Sequence, residues 1–250
     1  MKHLKTAVAA LVSSVALTAG STSFAQDKPP VVVELFTSQG CYSCPPAEAF
    51  LGELAERSEI LALEFHVDYW DTLNYMWHGQ WKDPFSSPEY TRRQRLYNVS
   101  IRGQSGVYTP QMVIDGRYEA VGSRRGQVET VIRKAQQASA KLSVTLTQAN
   151  GGLTAKVSGD QGGAADIFLI EFMDRATTEV EKGENHGKTL VSRHIVRDMK
   201  KLGTWKGTTA HLRLPKDAGE GDNRGCAVIV QAPNHGPVLG GGLCPRSPSS

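Results

Sequence analysis

Cys41-Tyr42-Ser43-Cys44 stands at a junction between two kinds of pattern. Before it, Val31-Val32-Val33-Glu34-Leu35-Phe36 is an apolar run of strand length. After it, residues 46–57 carry Ala47, Phe50, Leu51 and Leu54 at helical spacing. A cysteine pair in this place constrains the fold more than any other feature of the chain. The strand must lie inside, the helix must pack on it, and two sulfurs must meet at the edge where they join. The place also favours reactivity, because a helix start offers free N–H groups and positive potential that stabilise a thiolate. Three chemistries fit: a redox pair that exchanges with other thiols, a copper or zinc site made by Cys41, Cys44 and His66, or a structural staple in a binding module.

The strand and helix rhythm continues to residue 138. Residues 60–67 read as a second strand. Ser87-Pro88-Glu89 is a helix start, with a capping hydroxyl, proline in the first turn and then an acid; that helix is expected to run to about Tyr97. Residues 111–114 form a third strand, closed by the hairpin signal Asp115-Gly116, and 118–121 pair back as a fourth. Residues 123–138 form a closing helix. His66 and Asp68 end the second strand, and parallel strands end on one edge, so both belong near Cys41. From Lys141 the helical rhythm stops. Residues 142–147 and 153–157 read as a hairpin around Asn150-Gly151-Gly152, with further strands at 167–172, 191–196, 211–214 and 227–231. The expected fold class is an α/β domain over 27–138, then a β-rich, sandwich-like domain over 141–245, joined at Ala138-Ser139-Ala140.

Thr109-Pro110 directly before the third strand, together with the CxxC, gives residues 30–138 a resemblance to the thioredoxin-like fold. The resemblance implies a cis Thr109–Pro110 bond within reach of Cys41. It implies that Cys41 attacks, Cys44 resolves, Pro110 shapes the substrate groove, and Glu34 serves as the buried acid that relays the Cys44 proton. Tyr108, Thr109, His66, Asp68 and Trp70 would border the substrate. Three longer runs are more specific: 34–48 around the CxxC, Phe65-His66-Val67-Asp68-Tyr69-Trp70-Asp71, and Trp81-Lys82-Asp83-Pro84-Phe85-Ser86. With Gly183-Glu184-Asn185-His186-Gly187 they resemble an uncharacterised bacterial family of predicted secreted thioredoxin-like proteins, a domain of unknown function with no established substrate. The chain departs from thioredoxin at Gly40, where a tryptophan would stand, and at Pro45-Pro46, which would disturb the helix start. A third departure is the insertion 71–107, whose Trp77, Trp81, Phe85 and Tyr90 would cover the redox face.

Residues 1–25 read as an export signal. Lys2 and Lys5 lead, 7–17 is apolar, and Ser23-Phe24-Ala25 offers a cleavage site before Gln26. The apolar run is shorter than the about 20 residues needed to span a bilayer. The expected product is exported, periplasmic or secreted, free of the membrane after cleavage, and in a compartment where disulfides persist. Cys226 and Cys244 are then expected to form a structural disulfide. Removing the two leader lysines takes most of the +3 net charge, which leaves no basic surplus for nucleic acid. No cofactor is implied, and the expected partners are protein or small-molecule thiols and disulfides. Arg92, Arg93 and Arg95 read as a solvated helix face, and His186, His194, His211 and His235 as structural or surface residues.

Overall fold

The computed structural model describes residues 28–75, 78–138, 142–149, 152–160 and 162–245. The expected export signal, Trp77 and the Ser139-Ala140 part of the expected linker lie outside the described residues. Strand β1 (Val31–Thr37) runs parallel to β2 (Ile60–His66), and helix α1 (Pro45–Ala55) crosses between them. Two short strands follow, β3 (Asn74–Tyr75) and β4 (Gly79–Gln80), then helix α2 (Pro88–Arg102). Strand β5 (Gln111–Ile114) lies antiparallel to β1 and turns through Asp115-Gly116 into β6 (Tyr118–Val121). Both turn residues have positive φ, 49° and 58°, as an Asp-Gly hairpin requires. Helix α3 (Arg125–Gln137) closes the half. Helix α2 starts where its signal places it, with Ser87 Oγ accepting from Glu89 N at 3.2 Å. It continues past Tyr97 until Gly103, at φ 69°, ends it.

Seven strands make up the second half: β7 (Leu142–Ala149), β8 (Gly152–Gly159), β9 (Ala165–Glu179), β10 (Thr189–Trp205), β11 (Ala210–Arg213), β12 (Arg224–Gln231) and β13 (Val238–Leu243). Four of them do not form a sheet of their own. They extend the first half's sheet into one eight-stranded mixed sheet in the order β13-β12-β9-β10-β2-β1-β5-β6. The separate second domain expected from the sequence is therefore not what the sheet shows. The physical reason is in β2: all seven of its residues are buried, and such a strand is a poor edge. Strand β10 joins β2 through Ile195 and Glu64 and covers it. A sandwich does form at the far end, where the three-stranded sheet β11-β8-β7 packs over β9, β12 and β13. The two layers approach so closely that a β-carbon on Gly240 would collide with the Leu142 carbonyl.

Alternation along β1 and β2 sorts their side chains between two faces. Val31, Val33 and Leu35 meet α1 and α3. Val32, Phe36, Leu61, Leu63 and Phe65 meet Tyr90 and Tyr97 of α2, together with Ile170, Val196 and Ile229 from the second half. Among the described residues no helix is long and apolar enough to cross a membrane.

The Cys226–Cys244 disulfide joins the paired ends of β12 and β13, with Cα atoms 5.2 Å apart and a separation of 18 residues. A loop of that length is worth about 3 kcal/mol when cross-linked. Replacing both cysteines with serine is expected to lower stability by about that amount in denaturant melts, and an unchanged midpoint would refute it.

Candidate active site

Strand β1 delivers the chain into a tight turn in which Cys41 N donates to Ser38 O at 3.0 Å and Cys44 N to Cys41 O at 3.1 Å. Cys44 sits at the N-cap of α1, and its carbonyl accepts from Ala47 N at 2.8 Å and Glu48 N at 3.2 Å. Pro45 and Pro46 do not disturb the helix, because first-turn residues need no N–H for the helix ladder. They do remove two donors, and the next two are spent on Cys44, so the helix start offers a thiolate less than the sequence suggested. Cys41 and Cys44 are joined as a disulfide, Cα to Cα 5.4 Å.

Both cysteines are fully buried, although Tyr42 between them is 65% exposed. Neither sulfur is therefore open to solvent at this edge of the sheet. The cover comes from the turn between β9 and β10, not only from the 71–107 insertion. Asn185, itself fully buried, donates from Nδ2 to Gln39 O and to Cys41 O, each at 2.9 Å. Glu184 Oε2 accepts from Tyr42 N at 2.8 Å, and Lys188 Nζ lies 4.1 Å from the centre of the Tyr42 ring.

A buried ionisable cluster is tied to the CxxC turn through Gln39 N and Asp83. Thr37, Glu64 and His66 fall on the α1 face of their strands by alternation, and Glu48 points back along α1 one turn after Cys44. His66 Nδ1 meets Asp83 Oδ2 at 2.7 Å, and its Nε2 meets Glu64 Oε1 at 2.9 Å. Two carboxyl acceptors suit a ring carrying both protons. Burial opposes that charge, but Asp83 and Glu64 outweigh it and hold His66 well above its ordinary range. Asp83 is itself resisted by burial yet lowered by the His66 charge, and it accepts from Gln39 N at 2.8 Å. Thr37 Oγ1 donates to Glu48 Oε1 at 2.6 Å. Burial, with Glu64 close by, pushes the Glu48 carboxyl up to about 8. Glu48 therefore carries a proton at neutral pH.

The other sequence candidates are distributed around this centre. The Thr109–Pro110 bond is cis, and Trp70 Nε1 donates to Thr109 Oγ1 at 2.8 Å. Trp70 also stands against the CxxC turn: a β-carbon on Gly40 would lie 3.4 Å from Trp70 Cβ. Tyr108 hydrogen-bonds Glu119, and Asp68 Oδ1 accepts from Thr91 Oγ1 at 2.5 Å, which fixes the start of α2. Glu34 is not placed to relay a proton to Cys44. It faces α2, where Arg93 Nε reaches its Oε2 at 2.6 Å and Tyr97 hydroxyl its Oε1 at 2.5 Å. Arg93 is accordingly buried and not part of a solvated face. His66 has both ring nitrogens engaged by carboxyls, so the Cys41, Cys44 and His66 metal set does not assemble. Glu48, Glu64, Asp83 and Asn185 were missed as site residues. The available signal was Glu64 and His66, polar residues set inside an otherwise apolar strand.

The crystal structure of a protein from Agrobacterium tumefaciens is similar to this chain at 29% identity and a TM-score of 0.73, covering 88% of this chain and 96% of that one. HBP35 of Porphyromonas gingivalis shares the fold at 15% identity and a TM-score of 0.57, covering 86% of this chain and 74% of that one. Curated proteins yield no match. A family profile aligns with residues 32–231, which span the CxxC, the buried cluster and the β9–β10 turn, and the chain belongs to that family, the proteins of unknown function DUF1223.

Proposed function

We propose that this protein is an exported thiol–disulfide exchange protein with a thioredoxin-like first half, acting through Cys41 and Cys44 on protein or small-molecule thiols. The observation that carries the reading is the Cys41–Cys44 disulfide at the start of α1 with a protonated, buried acid, Glu48, one helical turn further on. The order β1-α1-β2, then Thr109-Pro110 directly before β5, supports the thioredoxin-like reading.

In the oxidised state a substrate thiolate attacks Cys41 Sγ. A mixed disulfide forms and Cys44 leaves as a thiolate. Glu48 gives that thiolate its proton, a role the sequence resemblance assigned to Glu34. A second substrate thiolate then attacks the substrate sulfur of the mixed disulfide and releases Cys41. The pair gains two electrons and the substrate becomes a disulfide. The reverse sequence reduces a substrate disulfide. Trp70, Thr109 and Pro110 line the approach.

The staple reading draws on one observation, the complete burial of both cysteines. Trapping separates the two. In the native compartment the Cys44→Ser variant is expected to accumulate mixed disulfides through Cys41, because attack proceeds and resolution fails. Cys41→Ser is expected to trap little. Absence of adducts on both variants would leave the pair a staple.

A further inference from the structure

The β9–β10 turn does more than end a hairpin. Strand β12 pairs with β9 only as far as Met173, and β2 meets β10 at Ile195, so 176–179 and 189–192 form a two-stranded arm that no third strand joins among the described residues. An isolated two-stranded ribbon is only marginally stable. This arm leans on α1 and carries 183–187 across the disulfide. Glycines at positive φ stand at both ends of the turn, Gly183 at 76° and Gly187 at 77°. The turn is held down by polar contacts to the CxxC segment, Asn185 to Gln39 O and Cys41 O and Glu184 to Tyr42 N, and by one to the insertion, Gly183 N to His78 O at 3.1 Å. Beside these contacts the Gln39 side chain is fully buried, yet neither its Oε1 nor its Nε2 has a hydrogen-bond partner. Such an amide is costly to bury unpaired, and it offers two N–H donors and an acceptor oxygen to whatever enters.

We propose, building on the exchange reading, that residues 183–187 are a gate on the Cys41–Cys44 pair, with Asn185 and Glu184 as its latch. Closed, the gate removes both sulfurs from solvent. Opening frees Gln39 O, Cys41 O and Tyr42 N and uncovers the Gln39 amide. These are the donors and acceptors that one extended polypeptide strand uses, so a thiol-bearing polypeptide takes over what the latch releases. Small thiols gain no such contacts and must wait for spontaneous opening.

The test is the rate at which dithiothreitol reduces Cys41–Cys44, read by thiol labelling and mass mapping so that Cys226–Cys244 is scored separately. Dithiothreitol ends as its cyclic disulfide and the pair gains two electrons. Breaking both Asn185 bonds is expected to speed reduction about tenfold in Asn185→Ala, which also melts lower because Asn185 is fully buried. Glu184 is exposed, so Glu184→Ala folds regardless of Asn185; it is expected to speed reduction about threefold, and Glu184→Gln, which keeps an acceptor oxygen, to restore the native rate. Wild-type rates in Asn185→Ala and Glu184→Ala would overturn the gate while leaving Cys44→Ser trapping, and thus the exchange reading, intact. Faster reduction in both variants with no adduct on Cys44→Ser would keep the gate and sink the exchange reading.

Discussion

Arg93→Leu is expected to cost about 3–5 kcal/mol, because it breaks a buried ion pair by removing one partner. The guanidinium is only 4% exposed and Glu34 only 1%. Its Nε and Nη2 hold both Glu34 oxygens, at 2.6 and 3.0 Å, and Nη1 donates to Gln231 Oε1 at 3.1 Å. The arginine thus ties β1 and α2 of the first half to β12 of the second. Removing it leaves a buried carboxylate beside Phe36, Phe65 and Tyr97 with its counter-charge gone and, among the described residues, only the Tyr97 hydroxyl still donating to it. Arg92 and Arg95, exposed on the same helix, are the controls: alanine at either is expected to shift stability by no more than about 0.5 kcal/mol. The double replacement Glu34→Leu with Arg93→Leu is expected to recover part of the loss, because paired removal strands no charge. Urea melts of the four variants decide it, and an Arg93→Leu midpoint equal to that of Arg92→Ala would refute the buried pair.

The three arginines show where reading the sequence stops. Arg92, Arg93 and Arg95 are alike in type and lie within one turn, and the helix they occupy is amphipathic only weakly because its buried side is polar. Tyr90, Gln94, Tyr97 and Asn98 face inward with Arg93. Hydrophobic periodicity is blind to such a face, since partners such as Glu34 and Gln231 lie far along the chain. Local signals succeeded where the chemistry was local: the Ser87-Pro88 start, the Asp115-Gly116 turn, and β5 and β6 at their observed bounds. The same limit hid the surroundings of the candidate site. Cys41, Cys44 and Thr109-Pro110 carry visible motifs, but Asn185 lies 144 residues from Cys41 and reaches it only because β10 joins β2. Glu34 was read as the buried acid from its place before the CxxC, yet strand alternation turns it to the α2 face, while Glu48, one turn into α1, meets Thr37 on the other face.

Glu48→Gln is expected to change two measurements together. The first is stability against pH. The folded carboxyl titrates near 8 instead of its ordinary 4.5, so between those values the native protein keeps a proton that the unfolded chain has released. Unfolding then releases a proton, and stability falls as pH rises, by at most about 1.4 kcal/mol per pH unit from this group. The stabilisation is complete below 4.5 and is lost through 8. His66, also raised, adds a loss of the same sign above 6.5. Asp115, raised by burial to about 6, adds another from 3.8 upward, but it acts equally in both proteins and cancels in their difference. Glutamine carries no titrating proton, so the stability of the variant relative to the native protein is expected to climb steadily from about pH 4.5 and level off near 8. The second measurement is exchange. Without an acid to protonate departing Cys44, attack on the disulfide is expected to slow about 10²-fold at neutral pH. The two readouts separate roles that a single assay would merge. A flat difference curve would mean that Glu48 does not hold the proton. A climbing curve with exchange unaltered would mean that it holds the proton for the buried cluster alone, and that Cys44 takes its own from solvent when the gate opens.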